Sequence, residues 1–159
     1  MTGPGLEDGD GALQFGVRIG GQDYPYRPAA FGVALRDGKL AAVKVTRPGE
    51  QPYFDLPGGG IDPGETPQAA VVREFGEETG LVVCARRLLG RANQYMVKSD
   101  GVPANNISTL MEVEVTGEAQ LLKIEDDHDL VWLEPLEAIT RLRHESHAWA
   151  VAAWLRMRG

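Results

Sequence analysis

The sequence predicts an α/β domain, a sandwich of helices packed on a sheet, and three observations carry that prediction. Short β-branched or alternating runs bounded by turn residues recur along the chain, as strands require. One central segment carries both a start and a stop signal for a helix, and an apolar stripe of helical period lies near the C-terminus. At 159 residues the chain is ample for one sizeable core and short for two.

Residues 1–12 are rich in glycine and acids with almost nothing to bury, so a disordered tail is expected there and a single folded domain over 13–159. Phe31–Arg36 and Leu40–Val45 read as strands. Asp37-Gly38 between them tolerates the positive φ of a tight hairpin whose twist matches its flanking strands. A helix is expected over Pro67–Thr79. Thr66 can cap its free amides, Pro67 takes the first position, where a missing donor is harmless, and Gly80 follows the end. Leu81–Cys84, Ser108–Val115 and Leu130–Leu133 read as further strands. Ala148, Val151, Ala152 and Leu155 recur at i, i+3, i+4 and i+7 and predict a last helix lying as a lid on the sheet.

Composition excludes several functions. The chain has 16 Lys and Arg against 23 Asp and Glu, a net charge of -7 that suits the phosphates of duplex nucleic acid poorly. No apolar run approaches the roughly 20 residues that cross a bilayer, and the N-terminus lacks the basic-then-apolar pattern of a secretory signal. A soluble cytoplasmic protein with no membrane partner is expected. The single cysteine, Cys84, permits no internal disulfide and is expected to be a buried apolar residue. The acidity is concentrated: residues 55–78 hold six acids and one base, and residues 118–130 hold five acids and one base.

The expected central helix is where the first acidic segment acquires chemical meaning. On a wheel of about 100° per residue, Glu74, Glu77 and Glu78 share an arc of about 100°, with Val71, Val72 and Phe75 in the adjoining arc. Arg73 precedes Glu77 by four residues and can hold its rotamer. Taken alone, this helix is poorly built. Glu74 and Glu78 are like charges at i, i+4 toward the negative end of the dipole, and each effect costs roughly a few tenths of a kcal/mol. Gly76 costs about 1 kcal/mol relative to alanine. Local rules broken together mark a functional site. Three carboxylates on one face suit a hard divalent cation, Mg2+ or Mn2+. Pro57–Gly60 adds a backbone that a ligand can approach closely. A solvated acidic face is the simpler reading of any one glutamate, and the joint pattern is what weakens it.

Gly59, Glu65, Arg73, Glu74, Glu77, Glu78 and Gly80 stand in the order and spacing G-x5-E-x7-R-E-U-x-E-E-x-G-U, where U is a bulky apolar residue. This resembles the Nudix box, the signature of hydrolases acting on a nucleoside diphosphate linked to another moiety. Phe75 departs mildly, since the family usually has an aliphatic residue there, and the departure concerns helix packing. The resemblance implies an α/β/α sandwich with a mixed central β-sheet, in which the box supplies a loop, a helix and a second loop. It implies that Glu74, Glu77 and Glu78, with the backbone carbonyl of Gly58, ligate one or more Mg2+ or Mn2+ ions. Arg73 is then expected to orient the carboxylates, and Glu65 to support the loop. Some members use a box glutamate as general base and others a distant acid. Glu125, then Asp126, is the best distal candidate here, although a solvated acidic loop is the simpler reading of each residue alone.

Tyr53, Phe54, Tyr95 and Trp132 are candidate stacking partners for a nucleobase, and Arg86, Arg87 and Arg91 are candidate phosphate contacts. Core packing and ordinary surface charge are the alternatives. Glu112 and Glu114 alternate with Met111 and Val113, which makes one strand face polar and a candidate cleft lining. His144 and His147 are expected to be cap or surface residues rather than metal ligands. The resemblance implies a small nucleotide substrate. A proline or tyrosine about 15 to 18 residues past the box would point to ADP-ribose or diadenosine polyphosphates, and Met96–Ser99 contains neither. Elimination leaves a MutT-like nucleoside triphosphate pyrophosphatase. ADP-ribose or nucleotide-sugar hydrolysis and a non-catalytic nucleotide-binding module are the alternatives, and an RNA end lacks an obvious basic path. A homodimer is an open option.

Overall fold

A computed structural model of the chain describes residues 12–158. Except for Ala12, the expected tail lies outside the described residues, and Ala12 is buried. The described strands are β1 (Leu13–Phe15), β2 (Tyr26–Arg36), β3 (Lys39–Val45), β4 (Tyr53–Asp55), β5 (Gly58–Gly60), β6 (Leu81–Val97), β7 (Pro103–Glu118) and β8 (His128–Leu133). They form one sheet in the order β1-β6-β7-β2-β3-β4, with β5 beside β2 and β8 beside β3. Pairing is parallel for β1 with β6 and β2 with β7, and antiparallel for the other pairs. Helix α1 (Pro67–Thr79) covers one face, and α2 (Pro135–Arg141) with α3 (Glu145–Arg158) covers the other. This is the expected α/β/α sandwich with a mixed sheet.

Strand β2 serves both layers because successive side chains leave a strand on opposite sides. Ala29, Phe31 and Val33 join the core under α2 and α3 with Leu40, Leu110, Leu142, Val151 and Trp154. Ala30 and Ala34 join the core under α1 with Ala41, Val71, Phe75 and Met111. Gly32 lies between those two alanines, and a Cβ there would stand 2.7 Å from Phe75 Cε2. The aromatic ring that departs from the family pattern is thus seated over a strand position with no side chain. Small sheet residues let α1 lie close.

The local signals around α1 and the first hairpin act as their chemistry requires. Thr66 Oγ1 accepts from Ala69 N at 3.1 Å, and Gly80, at φ 75°, donates its N–H to Gly76 O. Asp37 and Gly38 turn at φ 53° and 79°, so that Arg36 pairs with Lys39.

Other elements differ from expectation. Strand β6 is 17 residues long instead of four because it continues through register shifts between Ala85 and Gly90 that erase the alternation. Gly90 lies under α3, where a Cβ would meet Trp149 at 2.5 Å. The buried stripe of α3 is His147, Ala150, Val151 and Trp154, one residue round from the expected one. His147 sets that rotation. Its Nδ1 accepts from Leu56 N at 3.1 Å and its ring packs 4.3 Å from that of Phe31, so this imidazole is a core residue and not a surface one. His144 is buried as well, at 8% exposure, while its carbonyl accepts from His147 N and Ala148 N at the helix start. Cys84 is half-buried and lies 3.8 Å from a Glu114 carboxylate oxygen, not in the core. Among the described residues no helix is long and apolar enough to cross a membrane.

Candidate active site

Helix α1 brings its carboxylates to a cleft of about 620 Å³. Its lining divides by charge into an acidic wall of Gly58, Gly59, Glu74, Glu78 and Glu125 and an arginine wall of Arg27, Arg47, Tyr53, Asp55, Arg143 and His144.

On the acidic wall Arg73 is the organising cation. Its Nε and Nη2 donate to the two oxygens of Glu65 at 2.9 Å each, its Nη1 donates to Glu74 at 2.9 Å and Glu77 at 3.0 Å, and its Nη2 also reaches the Gly60 carbonyl at 3.0 Å. A guanidinium is the side chain that can serve so many acceptors in fixed directions. The Arg73 hydrogen bonds, with help from the Asp62 amide, hold the Glu65 carboxyl down at about 2. Arg73 therefore ties the loop before α1 to the helix.

Glu78 lies beyond that cation. It is 7% exposed, and one of its oxygens accepts from Gly58 N at 3.0 Å. Burial, and then the neighbouring charge of Glu74, push its carboxyl well above the usual range. Burial also raises Glu74, against the pull of Arg73. The glycines make this approach possible. A Cβ on Gly58 would meet Phe31 Cα at 2.6 Å, and one on Gly59 would meet the Glu74 carboxylate at 3.0 Å.

Glu125 reaches the same cleft from a distant part of the chain. Ile124 N and Glu125 N both donate to Glu77 O, at 2.9 and 3.1 Å, and Ala119 N donates to Gly80 O at 2.7 Å. These bonds satisfy carbonyls at the end of α1 and fasten the segment before β8 to the helix. Gly76 also becomes intelligible, since a Cβ there would stand 3.2 Å from Leu122 Cδ1. Its helix-breaking cost makes room for the segment that carries Glu125. Asp126 is exposed and outside the lining.

The arginine wall is internally paired. Arg143 forks onto Asp55 at 3.2 and 2.8 Å and lies 3.7 Å over the Tyr53 ring. Arg47 contacts the Tyr53 hydroxyl and donates to Asp127 at 3.0 Å. Burial raises the Asp55 carboxyl, and Arg143 opposes that rise. One face of Tyr53 is therefore occupied by a guanidinium, which removes it as a stacking surface. His144 beside this wall is held neutral, its imidazole pushed down to about 3 by burial and by Arg143.

The structure thus gathers Gly58, Glu74, Glu78, Glu125 and Tyr53 around one cleft, with Arg73 and Glu77 immediately behind the lining. Arg91 and Tyr95 do not line it. Tyr95 is buried edge-on against Tyr24 at 5.1 Å. Glu112 and Glu114 also lie elsewhere, because Glu112 accepts from Trp154 Nε1 at 2.6 Å and Glu114 pairs with Arg86. Arg27, Arg47, Asp55, Arg143 and His144 had no motif to identify them. Arg47 and Asp55 are near Tyr53 in sequence, whereas Arg27, Arg143 and His144 are brought to it by the fold.

A model of the NUDIX domain matches residues 25–155 of this chain. The chain belongs to the Nudix family. It is 30% identical over 129 residues to the RNA pyrophosphohydrolase of Agrobacterium fabrum, covering 75% of this chain and 74% of that protein. It is 54% identical over 59 residues to the RNA pyrophosphohydrolase of Gluconobacter oxydans, covering 35% of this chain and 33% of that protein. The second match thus spans only about a third of its relative's length. Among solved structures, a Nudix hydrolase from Nitrosomonas europaea superposes with a TM-score of 0.70 at 20% identity, covering 83% of this chain and 89% of that one.

Nudix enzymes use divalent metals, and the Glu78 environment fits one. It is a buried carboxylate beside a second one, with Arg73 committed to Glu65, Glu74 and Glu77 and therefore not to Glu78. Oxygen donors in an electrostatically incomplete setting suit Mg2+ or Mn2+.

Proposed function

We propose that this protein is a divalent-metal-dependent pyrophosphohydrolase acting on a nucleotide polyphosphate, with a nucleoside triphosphate as its substrate in the manner of MutT-like enzymes. The observation that carries the reading is the pairing of two walls in one cleft. Carboxylates with too little positive charge share the cleft with Arg27, Arg47 and Arg143, a combination of signs suited to a polyanion that enters with its cation.

Glu74, Glu78 and the Gly58 carbonyl would hold the metal, with Glu77, oriented by Arg73, as a further ligand. When bound, such an ion neutralises the diphosphate and makes water more acidic. The side chains supply the rest. Arg73 keeps Glu74 and Glu77 in place, and Glu125 stands at the cleft as the acid that accepts the proton of the attacking water. Arg27, Arg47 and Arg143 would bind the phosphate oxygens that the metal leaves uncovered.

A second reading, pyrophosphohydrolysis at an RNA end, is favoured by the names of the relatives. RNA carries an anhydride only at its 5′ end, so the same cleft chemistry serves both substrates. The test is a panel of nucleoside triphosphates, ADP-ribose, nucleotide sugars and 5′-triphosphorylated RNA with Mg2+ or Mn2+, with products identified. Triphosphate cleavage to monophosphate and pyrophosphate, lost in Glu78→Gln, is expected. Nucleotide binding in calorimetry with no product from any of these compounds would make the protein a binding module instead.

A further inference from the structure

The segment entering β8 carries a chain of polar groups that the proposed function does not use. Asp127 has both oxygens committed: Oδ1 lies 2.7 Å from His128 Nδ1, and Oδ2 accepts from Arg47 Nε at 3.0 Å. A carboxylate paired with a guanidinium only accepts, so the hydrogen between Asp127 and His128 belongs to Nδ1. With Nδ1 engaged by Asp127, Nε2 is the ring nitrogen turned to the cleft. His128 Nε2 faces Glu78 Oε2 at 3.5 Å, in the cleft and beside Glu125.

His128 Nε2 and Glu78 Oε2 therefore point at one place in the cleft, and their 3.5 Å separation is one that two ligands of a single cation can span. A carboxylate behind an imidazole, with the other ring nitrogen free, is also the arrangement that fixes a histidine as a metal ligand. Suitable donor atoms of Glu125, Asp127 and His128 all lie within 4.8 Å of one another. Asp127 is spent on orienting the ring.

We propose that His128 Nε2 joins Glu78 as a ligand in the metal centre, so that the donor set is mixed nitrogen and oxygen and favours Mn2+ or Co2+ over Mg2+. The inference rests on the divalent centre of the proposed function and deepens it. Imidazole binds later first-row divalent ions better than it binds Mg2+, whereas carboxylates alone discriminate less. Asp127 and Arg47 are positioning residues in this arrangement. Arg47 therefore couples the substrate wall to the metal wall through one hydrogen-bonded chain.

The test is pulsed electron paramagnetic resonance of the full chain loaded with Mn2+, together with calorimetric titration by Mn2+ and Mg2+. Modulation from a directly bound imidazole nitrogen is expected in the wild type, lost in His128→Gln and retained in His144→Gln. Mn2+ affinity should fall at least ~10-fold in His128→Gln and in Asp127→Asn, with a smaller change for Mg2+. Mn2+ bound without nitrogen modulation, or modulation that survives His128→Gln, would overturn the assignment and leave the oxygen-liganded centre standing. Failure of Mn2+ to bind at all would overturn both.

Discussion

The two walls of the cleft place charge beside a hydrophobic core in opposite ways. On the α1 wall one cation, Arg73, serves Glu65, Glu74 and Glu77, and Glu78 is left buried with a backbone amide and a distant imidazole. On the arginine wall and just behind it the acids have partners: Asp55 has Arg143, and Asp127 has Arg47 and His128. A wall that satisfies itself is a scaffold. A wall short of positive charge is suited to receive it, and this difference supports the proposal that the chemistry lies on α1.

Removing the unsatisfied charge should have the largest effect. Glu78→Gln is expected to lower kcat on the order of 10³-fold, because several kcal/mol of transition-state charge stabilisation depend on that ligand. Steady-state kinetics at saturating Mg2+ would check this, and wild-type turnover would show that the walls do not differ as described.

Arg73→Lys tests the hub. An ammonium cannot fork onto three carboxylates, so stability should fall by about 2 kcal/mol, read as a lower denaturant midpoint. Activity should drop along with it, since Glu74 and Glu77 lose their fixed orientation. A neutral result would mean that Arg73 is interchangeable surface charge.

Arg143→Ala probes the self-satisfied wall and should do less. Asp55 would lose its bidentate partner at a cost of about 1 kcal/mol, and KM should rise several-fold with kcat nearly kept. A kcat loss as deep as that of Glu78→Gln would place chemistry on this wall too.

The smallest effect is a pH dependence under the scaffold wall. His144 is held at about 3, and His147 well below its ordinary value, so both are neutral when folded. The unfolded chain binds protons at these histidines near the ordinary value of about 6.5. Their share of stability is therefore complete above that pH and is lost as pH falls through the window below it. Glu78, raised when folded, acts in the opposite sense, and the folded protein gains from protonating it. Urea midpoints at pH 7 and pH 5 in a Glu78→Gln background should isolate the histidine contribution, and His144→Gln should flatten the slope.

Most of this asymmetry was legible in the sequence on one side only. The α1 wall is local: capping, glycine placement and helical spacing of glutamates act within about twenty-five residues, and they gave the helix its ends and its acidic face. Glu125 was singled out because acids cluster before an apolar strand, and the structure places it at the cleft. The scaffold wall is assembled from β2, the loop after β3, β4 and the turn between α2 and α3, so nothing in its spacing marks Arg47 or Arg143. The rotation of α3 was missed for a related reason. Periodicity counted alanines as core and histidine as surface, whereas the Leu56 amide gives the His147 nitrogen a buried partner. Tyr95 and Arg91 looked functional by residue type, and type does not say which sheet face a side chain takes.

The most direct measurement of the central claim is thermal unfolding of the wild type and Glu78→Gln, each with and without Mn2+. Metal at a hundred times its Kd stabilises a folded site by about 2.7 kcal/mol, several degrees in Tm for a chain of this size. The wild type should gain that shift, while Glu78→Gln should start at a higher Tm without metal and respond little. Equal starting temperatures and equal shifts in the two proteins would contradict the claim that Glu78 carries the unmet charge that a metal completes.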